Sequence, residues 1–237
     1  MRAALFVIAL LAIGHVRISA QYEVGLSGGV FHAAMSTSRN SRGGGSFGPG
    51  DVIPYTVGVW YRERSAKGVG LGLGGQWTHR SFRADYTTGG LGYGSNYETA
   101  VNADFVHAYV GLEVRLDGKG RLNLRTGPQF GFFVGGNARG TYSGWSTLSP
   151  SDSETFRQDD LDYHGDVRWF LGFGFWSALH QRLSLSVDPY ASVSITPMKE
   201  DDPRFMSIDF GLNVSVGLRM KRRTLWETVR AGAPNTP

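Results

Sequence analysis

The run WTHRSF, residues 77–82, places a histidine and a serine two apart, His79 and Ser81. On an extended strand that spacing puts both side chains on one face. A histidine beside a serine hydroxyl can take its proton and create a nucleophile for an acyl ester. Asp85 or Glu98 would then be the acid that orients the imidazole. A second cluster, DDLDYHGD, sets Asp160, Asp162 and His164 ahead of Gly165, like the opening of a calcium loop. Counting twelve from Asp160 gives Leu171 instead of the bidentate glutamate such a loop needs, so a solvated acidic loop is the plainer reading. A third set is ionic: Arg80, Asp104, Glu113, Arg125, Asp166, Arg168, Asp188 and Asp209. These residues are interleaved with apolar ones and are read as facing a common interior, where charges must pair.

The elements that would position them are strands. In IDFGLNVSVGLRM, residues 208–220, every second residue is apolar, a period of two. The same reading marks eight strands, at 22–32, 52–63, 68–79, 102–117, 121–136, 166–178, 183–196 and 208–220. Their connections run long, short, long, short, as in outer-membrane barrels with periplasmic turns and external loops. The polar faces carry glycine and serine, among them Gly70, Gly72, Gly174, Ser184 and Ser192, where a solvated surface would carry Lys, Glu and Thr. An eight-stranded barrel has just enough interior for side chains, so small residues must offset large ones. The fold expected is all-β: an eight-stranded antiparallel transmembrane β-barrel with Leu212, Val214, Phe130, Phe132 and Phe173 facing lipid. The competing architecture is a secreted, lipocalin-like barrel with its apolar face inside.

The flanks fit export. Residues 1–20 read as a signal peptide, with Arg2 ahead of an apolar run and Ser19-Ala20 at the exit; residues 21–220 form the barrel and 221–237 a short basic tail. No cysteine is present, which excludes a lipoprotein anchor at that junction and any disulfide framework. Losing Arg2 and Arg17 takes 24 basic residues to 22 against 20 acidic ones, too balanced for a nucleic-acid partner. Arg39 and Arg42 make the first loop basic, whereas Asp159, Asp160, Asp162, Glu200, Asp201 and Asp202 make the third and fourth acidic. These loops are candidates to pair across the mouth, or to meet lipopolysaccharide phosphates through divalent cations.

One pairing can be derived from register. Glu113 and Arg125 both face inward if Gly118-Lys119-Gly120 is a three-residue loop, and 113 + 125 equals 117 + 121, so the two lie directly across the hairpin. An ion pair stapling the barrel is expected there. Residues 107–136, HAYVGLEVRLDGKGRLNLRTGPQFGFFVGG, resemble the PorT-like family of small outer-membrane β-barrels. The resemblance rests on the Leu112-Glu113 step, the tight turn, and Gly127, Pro128, Gly131, Phe132 and Phe133. It implies an eight-stranded barrel and, in some members, a role in protein secretion. The His79–Ser81 pair is in turn similar to that of outer-membrane lipid A deacylases, although Phe82 stands where they carry asparagine. The function expected is a monomeric outer-membrane barrel with a filled lumen, without catalysis or cofactor, acting in binding, scaffolding or secretion. Its partners would be outer-membrane lipid, lipopolysaccharide and other envelope or secretion proteins. The alternatives are a lipid A-modifying enzyme and a purely structural membrane protein.

Overall fold

The computed structural model describes residues 21–37, 44–64, 68–90, 93–146, 149–159, 161, 163–197 and 205–221. The expected signal peptide, the tail beyond 221, and the charged loop residues Arg39, Arg42, Glu200, Asp201 and Asp202 lie outside them. Among the described residues the chain forms ten strands: β1 (Gln21–Thr37), β2 (Gly44–Pro49), β3 (Tyr55–Arg64), β4 (Val69–Gly90), β5 (Tyr93–Arg115), β6 (Leu122–Ser146), β7 (Ser149–Gln158), β8 (Val167–Ala178), β9 (Leu183–Ser194) and β10 (Phe205–Lys221). Eight close into a ring of antiparallel neighbours, β1-β3-β4-β5-β6-β8-β9-β10, with β10 back against β1. These eight are the strands that alternation marks. The expected register of the β5–β6 hairpin is also present, with Glu113 opposite Arg125 and a turn at Asp117–Gly120. Gly120 adopts φ +65° there, and the Asp117 carboxylate accepts from the Leu122 amide. That bond holds the Asp117 carboxyl below its ordinary range.

The wall between the turn end and about residue 81 is apolar outside and polar inside. Leu26, Val57, Phe130, Phe132, Leu171, Phe173, Leu212 and Val214 are exposed, Phe132 by 62%. Arg62, Arg80, Glu113, Arg168, Asp188 and Asp209 are buried. A lipocalin-like arrangement, with its apolar face inside, has the opposite polarity. Large side chains also enter the lumen, and glycines make room for them. A Cβ at Gly217 would stand 2.6 Å from the Trp60 ring, and one at Gly211 would stand 2.6 Å from Tyr190. Gly74 faces Tyr109 and Gly111 faces Phe170 in the same way.

The segments 82–99 and 137–158, read as loops from the sequence, are largely strand. β4, β5 and β6 continue past the ring, β2 adds to the far edge of β4 and β7 to that of β6, giving a raised five-stranded wall ordered β2-β4-β5-β6-β7. On this wall the polarity reverses. Phe82, Ala84, Val101, Ala103 and Ala138 now point inward and are buried, while Arg83 and Arg139 point outward. The inward residues pack with Leu161, Met35, Phe47, Phe133 and Tyr163 into an apolar cluster over the upper end of the ring. A register shift in the β5–β6 ladder between Asp104 and Phe105 accompanies the change, as a bulge bends a strand where it leaves one surface for another.

Candidate functional site

Beneath the apolar cluster lies a dense ionic layer. Arg80 forks onto both carboxylate oxygens of Asp209, at 2.9 and 2.6 Å. Arg168 reaches Asp209 and Asp166, each at 2.8 Å, and donates to the hydroxyls of Ser192, Ser194 and Ser207. His107 places Nε2 3.2 Å from Asp166 and Nδ1 3.0 Å from the Thr78 hydroxyl. Five strands thus meet at one network, and the short serines of β9 and β10 leave space for the guanidinium groups. The Thr78–His107–Asp166 chain has the order of a nucleophile, base and acid, yet all three are buried to within about 1%, and it serves the packing of the layer. The Arg80 guanidinium also lies 5.3 Å from the Phe31 ring and 5.8 Å from that of Phe105, which ties this layer to the apolar cluster above.

Below it the lumen is looser. Arg62 meets Glu113 at 2.8 Å, and Arg125 pairs with Asp188. The expected staple is therefore corrected: Glu113 and Arg125 are opposite in register, but each turns to a different partner, on β3 and β9. A cavity of about 70 Å³ lies between these pairs and Trp60, Tyr109, Phe170 and Tyr190, room for about two water molecules at liquid density. At the turn end Arg219 stands over the Trp176 ring and 3.7 Å from Glu23.

Outside the wall the expected pairings change again. Asp104, expected in the lumen, lies outward instead, accepting from Trp77 Nε1 at 3.2 Å and facing His79 Nδ1 at 2.8 Å. The reason is parity, since 104 alternates in step with the outward Val106 and Val110. The carboxylate beside His79 is thus Asp104, neither Asp85 nor Glu98, and His79 stacks on Tyr55. Ser81 is buried and its hydroxyl accepts from the Val52 amide at 3.3 Å, beneath Gly50. The structure brings His79 to an acid and engages Ser81 with the 50–52 loop. Of the calcium-loop candidates, Asp160 and Asp162 lie outside the described residues and His164 is exposed; among the described residues no group of three or more acids and histidines could hold a metal.

Three residues were missed by sequence reasoning. Arg62 and His107 fall on inward positions of strands already assigned, so parity alone would have found them. Asp51, between β2 and β3, accepts from Arg83 at 2.7 Å and Arg139 at 2.9 Å. Nothing local in the sequence links position 51 to 139. These bonds, Arg139 first and then Arg83, hold the Asp51 carboxyl below its ordinary range.

These features define a closed, inside-out barrel with a raised wall on one side. No protein-family model and no curated protein matches the sequence. Among solved structures, the chain is similar to Ail, the attachment invasion locus protein of Yersinia pestis, in complex with the heparin analogue sucrose octasulfate. The identity is 11% and the TM-score 0.38, over 86% of this chain and 100% of that one. Neisserial surface protein A is similar at 11% identity and TM-score 0.37, over 82% and 96%. The toluene transporter TodX of P. putida is similar at 9% identity and TM-score 0.35, over 87% and 91%. The fold stands on the strand pairing itself.

Proposed function

We propose that the chain is a monomeric outer-membrane β-barrel, closed to flux, that acts as a binding or secretion-associated component of PorT-like kind. The observation that carries this is the polarity reversal within single strands. On β4 and β5 the outward residues are Leu73, Trp77, Val106, Val110 and Leu112 below, and Arg83, Asp85, Glu98 and Asn96 above. One strand meeting two media needs a lipid band about 25 Å tall under an aqueous region. Outward positions from Val69 to Trp77 span about 26 Å of strand, or about 20 Å along the barrel axis at a tilt of about 40°, most of that height. Closure to flux is supported by the apolar cluster over the upper end and the ionic layer beneath it. The PorT-like assignment rests on residues 107–136, which form the β5–β6 hairpin. The test is fractionation together with gel mobility. The protein should co-purify with outer membranes and migrate faster before boiling than after; recovery as a soluble periplasmic protein overturns the reading. Reconstituted in planar bilayers it should show no conductance steps, and stable steps would remove the closed lumen.

A further inference from the structure

On the outward face of the raised wall, Arg83 on β4 and Arg139 on β6 stand in one row with Ala100 of β5 between them. Two strand spacings separate them by about 10 Å at the backbone. The intervening methyl group lets both guanidinium groups lean inward and converge on one carboxylate, that of Asp51. Both arginines are more than half exposed, and each spends one terminal nitrogen on Asp51. Convergent guanidinium forks match the oxygens of a phosphate at least as well as those of a carboxylate. We propose that Arg83 and Arg139 form a cradle for the phosphorylated sugar headgroup of an outer-leaflet glycolipid, which Asp51 occupies as a tethered anion.

Height and charge select that ligand. Trp77 is the last large apolar residue on the outside of β4, and Arg83 lies six residues beyond it. That is about 20 Å along the strand and about 15 Å along the barrel axis at the usual tilt. A phospholipid headgroup layer is only about 5–8 Å deep in each leaflet, so with the lipid edge at the Trp77 level a phosphate at the cradle is one carried on sugars. The row beneath the cradle, Ser81, Asn102 and Asn137, is uncharged. The row above holds Asp85 and Glu98 directly opposite one another, flanked by Ser46 and Thr141. The 50–52 loop covers Ser81, so a phosphate enters from the membrane side past Asn102 and Asn137, and the two carboxylates repel it from above. Arg157, next to Arg139 in the same row, is paired with Asp159. Two arginines against Asp51 leave the cradle one positive charge, which the incoming phosphate neutralises.

The inference rests on the membrane placement proposed above, so each variant is first checked for barrel formation by its mobility before boiling. The probe is rough lipopolysaccharide with a phosphorylated core, titrated onto the full protein in phosphatidylcholine nanodiscs. The same lipopolysaccharide stripped of phosphate and a sulfated polysaccharide are run in parallel. Arg83→Gln/Arg139→Gln should weaken binding of the phosphorylated form by about tenfold. Asp51→Asn, which removes the competing anion, should strengthen it several-fold, and neither change should alter binding of the stripped form. The proposal is overturned if the double variant binds as wild type does, or if Asp51→Asn binds more weakly; the trio is then only a pin for the 50–54 loop. Binding of the sulfated polysaccharide in place of lipopolysaccharide overturns the assigned ligand. Failure to fold into a heat-modifiable barrel at all counts against the membrane placement, a separate result.

Discussion

β4 and β5 each pass through both halves of the molecule, and their two halves obey opposite rules. Below about the level of residue 81 the outward face is leucine, valine and tryptophan, ending in His79 and Asp104, while the inward face is glycine, threonine and arginine on β4 and histidine, tyrosine, glycine and glutamate on β5. Above it the outward face is arginine, aspartate and glutamate, while Phe82, Ala84, Val101 and Ala103 are inside. Strand periodicity is the same throughout; only its phase changes. The backbone therefore specifies a continuous ladder, and the side chains record which medium it crosses. The interiors differ accordingly. The lower lumen is held by charges, where loss of one partner is costly. The upper wall is held by apolar packing against β2 and the 161–163 segment, with its charges outside in water, where each is worth little.

The sharpest way to break that comparison is to remove a charge from each half. Arg168→Met strands Asp166 and Asp209 in the ionic layer and should cost about 3–5 kcal/mol in urea unfolding from detergent micelles. Arg139→Met, on the wall, should leave the same transition unmoved. Equal effects would mean that the lumen is hydrated enough to screen its charges. Adding a charge is the complementary experiment. Leu212→Arg introduces a cation on the outward apolar face proposed to meet lipid and should cost roughly 2–4 kcal/mol if position 212 is near the midplane. Thr141→Arg makes the same change on the outer face of the wall and should stay within about 0.5 kcal/mol. If Leu212→Arg folds as well as wild type, the lower exterior does not meet lipid.

A finer test lies inside the lower half. The partners there are Arg62–Glu113 and Arg125–Asp188, so double-mutant cycles to alanine should give coupling of about 1–3 kcal/mol for each. The register pair Glu113–Arg125 should couple less than either. The reverse order would mean that the four groups exchange partners in solution and that the cross-hairpin pair prevails.

The sequence made the ring legible for a physical reason. A strand with an apolar outer face and a polar inner face must alternate, and 208–220 does so over its whole length. The β5–β6 register followed from one turn and an arithmetic identity. The ion partners did not follow, because register fixes which Cβ atoms are opposite and leaves a long side chain free to choose among three strands. Arg62 lay on an assigned inward position, and the Asp104 error was one of parity alone. The raised wall was hidden by the phase change. Alternation with its apolar face turned inward and charges outside reads locally as a polar loop, and glycines at 89, 90 and 94 reinforce that reading. Asp51 was beyond reach, since its partners come from β4 and β6.

The smallest expected effect concerns that residue and the wall it fastens. Asp51 is bonded by Arg139 and Arg83, which lowers its folded-state pKa below the ordinary 3.8. A group whose pKa is depressed on folding contributes stability that is present above its unfolded value and lost as pH falls through the folded one. The pin should therefore hold unchanged from neutral pH down to about 4, and it should release only in stronger acid. Release would expose the 50–54 loop and, with it, the Val52 amide now bonded to Ser81. Amide hydrogen exchange at Val52 should be flat across the neutral range and rise in strong acid after correction for the intrinsic rate. In Asp51→Asn it should be raised already at neutral pH and should show no further acid step. The pair is exposed, so added salt should weaken the pin in wild type at any pH. The buried Arg80–Asp209 fork below the wall should not respond to salt, and amides of β10 beside Asp209 are the internal control. A response of both sites to salt would erase the distinction between a wall fastened in water and a lumen sealed from it.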